Sequence, residues 1–268
     1  AVGMVLVFGI MGVVNFAHGE LVMVGAYSVW VLNSQFGIPY LPAMVMAILL
    51  VLLIGLTMER YLFRPKREDP LGGLITSIGV LFILQVAALL VGGTGPAKQV
   101  TPAFPGTLIL DEFMRIPHQR LFSLAISVAA LIILWLFLTR TKLGWSMRAV
   151  AQDREAASLQ GININRTCLF AMGISASLAG LAGALMAPIS NIYPHMGHNV
   201  IITAFIVTIV GGLGSLSGAV LAAFLYALLH TFVTAYFSGT VASMAGLLLM
   251  VVVLIIKPSG IMGKRVSE

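Results

Sequence analysis

Apolar residues run continuously along this chain rather than alternating with polar ones. The runs cover roughly 1–34, 41–60, 71–92, 121–139, 167–187, 200–210, 216–236 and 241–256. Most approach the ~20 residues that a helix needs to cross a bilayer core. A helix satisfies its own backbone in lipid, so spans of this kind are read as helices. A transmembrane barrel would alternate apolar and polar positions along each strand, and these runs do not. The pattern predicts an all-α polytopic membrane protein of about eight apolar segments, some broken or re-entrant, in one transmembrane domain over 1–268.

Two places depart from plain spans. The first run is too long for one helix, and Asn15-Phe16-Ala17-His18-Gly19-Glu20 interrupts it. The run 200–210 is too short, and Gly211-Gly212-Leu213-Gly214-Ser215-Leu216-Ser217-Gly218 follows it. Irregular backbone survives at membrane depth where it lines a polar path or is buried in protein. Broken helices near the midplane are one such use. Tight helix packing or a plain turn explains a glycine run equally well, and the two readings are compatible. One early and one late break is the arrangement expected of two related halves.

Composition narrows the class. Apolar residues make up 59% and charged residues 9% of the chain, with a mean hydropathy of +1.05. Soluble domains carry about 25% charged residues. A soluble enzyme, a disordered chain and a disulfide-stapled domain are excluded. The single cysteine, Cys168, is expected to be a packed small residue. The chain opens at Ala1 inside an apolar run with no charged segment before it, which is unlike a signal peptide. The expectation is that a natural N-terminus, and with it a further helix, precedes this point.

The net charge of +6 is unevenly distributed. Arg60, Arg64, Lys66 and Arg67 flank one connection. Arg140, Lys142, Arg148, Arg154 and Arg166 occupy another, and Lys257, Lys264 and Arg265 the tail. The remaining bases, Lys98, Arg115 and Arg120, share 93–120 with Asp111 and Glu112. The positive-inside rule puts loops 61–70 and 140–166 and the tail in the cytoplasm. The connections near 35–40, 93–120, 188–199 and 237–240 then face outside, provided that 200–236 goes in and comes back. No basic patch interleaves with aromatics, so no nucleic-acid partner is expected.

Chemistry-bearing motifs are scarce. The sequence has no GxxxxGK[ST], no HExxH, no GxSxG and no Cys/His cluster. It is read as neither an enzyme nor an ATP binder, with no metal and no cofactor of its own. Asn15, His18, Gly19 and Glu20 are the candidate pathway or gate residues. Polar groups at this depth are either functional or paired. Asn15 and His18 have the spacing of one helix face, Glu20 points elsewhere, and Gly19 permits a kink or close approach. A buried network joining two helices is the equal alternative. Gly211, Gly212, Gly214 and Ser215 form the second candidate. Glu59, beside Arg60 at a helix end, is expected to make a local interfacial ion pair rather than serve a proton relay, Gln85 to bridge helices, and His230 to pack. Ser190, Asn191, Tyr193, His195, His198 and Asn199 lie in a proline-punctuated outer loop. That loop is either solvated or an outer docking or gating surface, and its two histidines lack further metal ligands.

The connection 140–166 contains a short helical pattern. Ala149, Ala151, Ala156 and Ala157 favour helix, Asp153 can cap a turn, and Gly161 suits a helix stop. A small-faced helix can enter a groove on another protein. Gln152, Asp153, Arg154 and Glu155 would form its polar rim.

Several of these stretches together resemble a known family. Val13-Val14-Asn15-Phe16-Ala17-His18-Gly19-Glu20 with Met23-Val24-Gly25-Ala26-Tyr27 looks like the signature of the H-type membrane subunit of branched-chain amino-acid ABC importers. RAVAQDREAASLQGININR from Arg148 resembles that family's cytoplasmic coupling segment. GGLGSLSGAVLAA from Gly211 and Lys257-Pro258-Ser259-Gly260-Ile261-Met262-Gly263 are similar too. The resemblance implies a bacterial inner-membrane permease domain with a cytoplasmic C-terminus. It implies a second, similar permease subunit, two cytoplasmic ATPase subunits that bind the ATP, and a periplasmic binding protein, all set in membrane lipid. Arg148, Asp153, Glu155, Ala156, Ala157 and Gly161 would carry ATPase coupling within 140–166. A urea or short-amide permease of the same superfamily usually carries Met where Phe16 stands. An ion-coupled secondary transporter is the remaining alternative. A bulky charge at Ala157 or Gly161 is expected to separate ATP hydrolysis from transport, as measured with purified partners.

Overall fold

The computed structural model describes residues 1–67, 69–93, 95–111 and 114–263. Of the groups named above, Glu112, Lys264 and Arg265 lie outside the described residues. The elements follow the apolar runs closely. They are α1 (Val2–Met11), α2 (His18–Ser34), α3 (Tyr40–Thr57) and α4 (Pro70–Gly92), then β1 (Thr107–Asp111) and β2 (Met114–Pro117). The chain continues through α5 (His118–Arg140), α6 (Lys142–Gln152), α7 (Arg154–Leu159), α8 (Ile164–Met186), α9 (Met196–Gly211), α10 (Leu216–Tyr236) and α11 (Gly239–Ile256). A π-helical turn, Met58–Phe63, and a 3-10 turn, Arg64–Lys66, extend α3. Six helical segments are long and apolar enough to cross a membrane, while α1 and α9 are shorter apolar helices.

The fold is not purely helical. β1 and β2 form an antiparallel hairpin inside the 93–120 connection, with Leu108 opposite Ile116 and Ile109 opposite Arg115. A four- to five-residue apolar–polar mixture lies below the length at which a periodicity argument can tell strand from loop.

Local capping explains many of the element boundaries. Asp69, Thr141, Asp153, Asn163, Ser215 and Ser238 each stand at an N-cap, with the side chain accepting a backbone N–H three residues on. Asp153 therefore splits the expected coupling helix into α6 and α7.

α8 is the central helix. In its most apolar window 61% of residues are buried, against 11% for both α5 and α11. Lipid offers no hydrophobic gain on helix association, so close backbone approach must supply the packing. α8 provides it with small residues on two faces. Gly180 meets the backbone of Gly25 on α2, and Gly183 sits on the Val22 carbonyl. Ala176 meets Gly55 on α3. Cys168 is fully buried in the same core cluster.

The connections sort to two ends of the bundle. Lys98 and Ile192 exchange backbone hydrogen bonds of 2.8 and 2.9 Å, and Gln99 donates to Asn191 at 3.0 Å, so 93–120 and 188–199 share one end. At the other end, Arg67 donates to Asn165 at 2.6 Å, joining 61–70 to 140–166. Glu59 is fully buried and pairs with Arg67, with Arg64 at 3.8 Å. The local ion pair expected of Glu59 is thus present, made with Arg67 and Arg64 and not with its exposed neighbour Arg60. Glu59 continues the buried stripe of Ala47, Val51 and Gly55 along α3, which turns it inward.

Replacing Gly183 by Leu drives a side chain into the Val22 carbonyl and should destabilise the detergent-purified protein by about 1–3 kcal/mol. Gly79→Ala, with nothing within 4 Å of its added Cβ, should leave the melting temperature unchanged or raised. Thermal unfolding of both variants checks the contrast.

Candidate gate and coupling site

The first break is Gly12 to Ala17. Gly12 closes α1 in the left-handed region (φ 67°), and its N–H donates to Phe8 O at 2.9 Å. Asn15 lies ahead of α2 rather than on it. Its Oδ1 accepts from the Ala17 N–H at 3.0 Å, a local turn that prepares the first turn of α2. Asn15 therefore shares no helix face with His18, contrary to the spacing argument. The Phe16 N–H donates to Ser77 on α4 at 3.2 Å, which pins the break from a second helix.

His18, Gly19 and Glu20 form the first turn of α2. His18 is buried, with Nδ1 3.5 Å from the Ser175 hydroxyl on α8. Gly19 packs on the Gly197 carbonyl of α9. Glu20 is completely buried, and its Oε1 accepts from Gln85 Nε2 on α4 at 2.9 Å. Its Oε2 lies against Gly197, in the first turn of α9, and has no hydrogen-bond partner. A carboxylate beside a helix N-terminus is favoured by about 0.3–1 kcal/mol, and more when partly buried. Gln85 lies seven residues before the end of α4, so this contact sits about 10 Å below that end. α9 therefore begins inside the bundle, with its N-terminal turn against an acid.

The glycine run is at the opposite end of α9, about 24 Å away. It lies beside the segment that follows α11, away from the expected midplane position. Gly211 packs backbone to backbone on Gly218, and Gly214 packs on Gly9 of α1. Gly212 has φ 101°, which L side chains rarely adopt, and it packs on Ser259 and Gly263. Ser215 caps α10 by accepting the Gly218 N–H at 3.2 Å. The Ile261 and Met262 N–H groups donate to the Val210 and Gly211 carbonyls at 2.8 and 3.1 Å. The two candidate clusters thus form separate sites, joined by α9.

The connection 140–166 presents one buried and one open side. Met147, Val150 and Ala157 are buried in the core cluster that also holds Ile10 and Met11. Arg148, Asp153, Glu155, Ala156 and Gly161 are exposed. Leu159, at the tip, is 87% exposed. A charge at Ala157 would therefore act first on folding, and exposed Ala156 and Gly161 are the positions that probe docking. Arg154 is not on a solvated rim. Its Nη2 donates to the Ile10 and Met11 carbonyls at 3.2 and 2.9 Å. A cation in the first turn of a helix opposes the dipole of that helix, and this was the available signal that its partner lay elsewhere. Leu159 carried no signal at all, since a single exposed leucine is ordinary.

Among the other flagged groups, His230 sits against Tyr226, with ring centroids 5.7 Å apart, and 3.4 Å from the Thr234 hydroxyl. Asn199 donates to the Tyr193 hydroxyl at 3.0 Å. Among the described residues, His, Cys, Asp and Glu form no group of three or more suited to a metal ion.

Comparison with known proteins places this architecture. The family described as branched-chain amino acid transport system / permease component matches residues 1–257. The chain belongs to the branched-chain amino-acid permease family. It is 31% identical to the high-affinity branched-chain amino acid transport system permease protein BraD of Pseudomonas aeruginosa, over all of this chain and 92% of BraD. It is 29% identical to LivH of Escherichia coli, over all of this chain and 91% of LivH. A second Escherichia coli permease of the same description, LivM, is 26% identical over 97% of this chain and 66% of LivM. No solved structure matches. A member of this family is a transport permease rather than an enzyme, and the six apolar spans make it a multi-pass membrane protein.

Glu20→Ala would leave Gln85 without its buried acceptor and should destabilise the permease by about 1–3 kcal/mol. Gly197→Val should do the same by displacing the Glu20 carboxylate. Because both act on one contact, the double variant should be less destabilised than the sum of the two. Denaturation midpoints of the four proteins check this.

Proposed function

We propose that this chain is a permease subunit of an ATP-driven importer. It would form part of the translocation path for branched-chain or related amino acids. Family membership over residues 1–257 carries this reading. The likeness to permeases named for branched-chain amino-acid transport supports the cargo class over urea or short amides. The sequence has no phosphate-binding loop, so the energy is assigned to two ATPase subunits on the cytoplasmic side of a bacterial inner membrane. A second, similar permease completes the path, and the likeness of this chain to both LivH and LivM supports such a pair.

In this reading the end of the bundle that carries loops 61–70 and 140–166 and residues 257–263 faces the cytoplasm, as its basic residues favour. The exposed face of α6 and α7, with Ala156, Leu159 and Gly161, docks on an ATPase. The opposite end, with 188–199 paired to 93–120, receives the periplasmic binding protein. The His18–Glu20 turn and the glycine turn shape the path from opposite ends of α9. Glu20 is fixed by Gln85 and α9, which favours a gating role over proton relay.

The test is uptake in proteoliposomes containing the whole complex. Leucine uptake should require ATP and persist when the proton gradient is collapsed. Isoleucine and valine should compete, and urea should not. Leu159→Glu should weaken ATPase docking by about tenfold or more, read by co-purification, because it puts a charge at the centre of an apolar contact.

A further inference from the structure

α1 ends inside the protein, and its last carbonyls need donors that its own helix cannot supply. The Gly12 N–H takes Phe8 O. Ile10 O and Met11 O are taken by Arg154, the first residue of α7. The guanidinium also faces the partial negative charge of the α1 C-terminus. Among the described residues Arg154 forms no ion pair with an acid, so the helix end is its counter-group.

α1 in turn touches both candidate sites. Gly3 lies so close to Ser175 and the His18 ring that an added Cβ would stand 3.0 and 3.2 Å from them, and Gly9 lies against Gly214. α6 also packs on α1, and its Met147 and Val150 lie in the core cluster shared with Ile10 and Met11. Apolar packing of this kind resists compression but holds weakly against separation, because each dispersion contact is small. Charge-assisted hydrogen bonds are directional and resist being drawn apart.

We propose that Arg154 is a positioning residue that ties α7 to the C-terminal end of α1, so that a movement received by α6 and α7 is passed in tension to the 12–17 break and the His18 turn. The proposal rests on the importer reading above, since that reading supplies the movement. The apolar contacts carry the return stroke. Loss of the guanidinium leaves α6 and α7 folded, because their caps are Thr141 and Asp153, and leaves the outward face of Leu159 intact.

The experiment compares wild type, R154Q and R154K in the reconstituted importer with all its subunits, measuring ATP hydrolysis and leucine uptake on the same vesicles. R154Q should hydrolyse ATP within about twofold of wild type, while uptake per ATP falls by about tenfold or more. R154K keeps an ammonium for one carbonyl and should recover part of the ratio. An unchanged ratio in R154Q, or uptake and hydrolysis falling in proportion, overturns the proposal. If R154Q does not assemble, R154K decides in the same terms: a lowered ratio supports the tie, and a wild-type ratio overturns it. Wild-type uptake that ran without ATP would sink the importer reading and this proposal with it. ATP-driven wild-type uptake with an unaltered R154Q ratio would sink the proposal alone.

Discussion

A helix that stops inside a membrane protein leaves carbonyls that neither lipid nor its own next turn can satisfy. This constraint governs the parts of the present fold that are not plain spans. α1 and α9 each end on donors brought from elsewhere in the chain. For α1 the donor is a side chain of α7. For α9 the donors are the backbone N–H groups of Ile261 and Met262. At the start of α9 the Met196 and His198 N–H groups are taken by the Tyr193 and His195 carbonyls, and the positive end of the helix lies against the carboxylate of Glu20. The irregular segments are therefore places where distant parts of the chain are held together, and this is why the polar residues gather there.

Around these ends the packing is of a simpler kind. α8 uses Ala176, Gly180 and Gly183 to bring α2 and α3 within backbone contact. α4, α5, α10 and α11 stand at the periphery, with 11 to 22% of their most apolar windows buried. Their exposed leucines, valines and phenylalanines suit lipid or a neighbouring subunit. The rigid centre and the loosely held periphery differ in composition as well. Small residues dominate the first and large aliphatic ones the second, as expected when association depends on close approach.

Much of the architecture was legible from the apolar runs, because a bilayer imposes length and composition on each span separately. The breaks were legible for the same reason, as places where a run was too long or too short. The hairpin at 107–117 was not, since its strands are too short for a periodicity to register. The candidate site was legible only as residue types. Asn15, His18 and Glu20 were singled out, but the partners Ser175, Gln85 and Gly197 lie on other helices, and no local rule pairs them. Glu59 shows the limit most plainly. Its neighbour in sequence is Arg60, but its buried carboxylate pairs with Arg67, eight residues on. Arg154 was counted among solvated charges because its acceptors lie more than a hundred residues earlier in the chain.

The contact of Ile261 and Met262 with the end of α9 also bears on how the chain is made. The carbonyls of Val210 and Gly211 cannot be satisfied in this way until α10 and α11 have both been synthesised and have returned the chain to the same side. The contact therefore forms only late in synthesis, and the final stretch is a clasp that holds α9, α10 and α11 together.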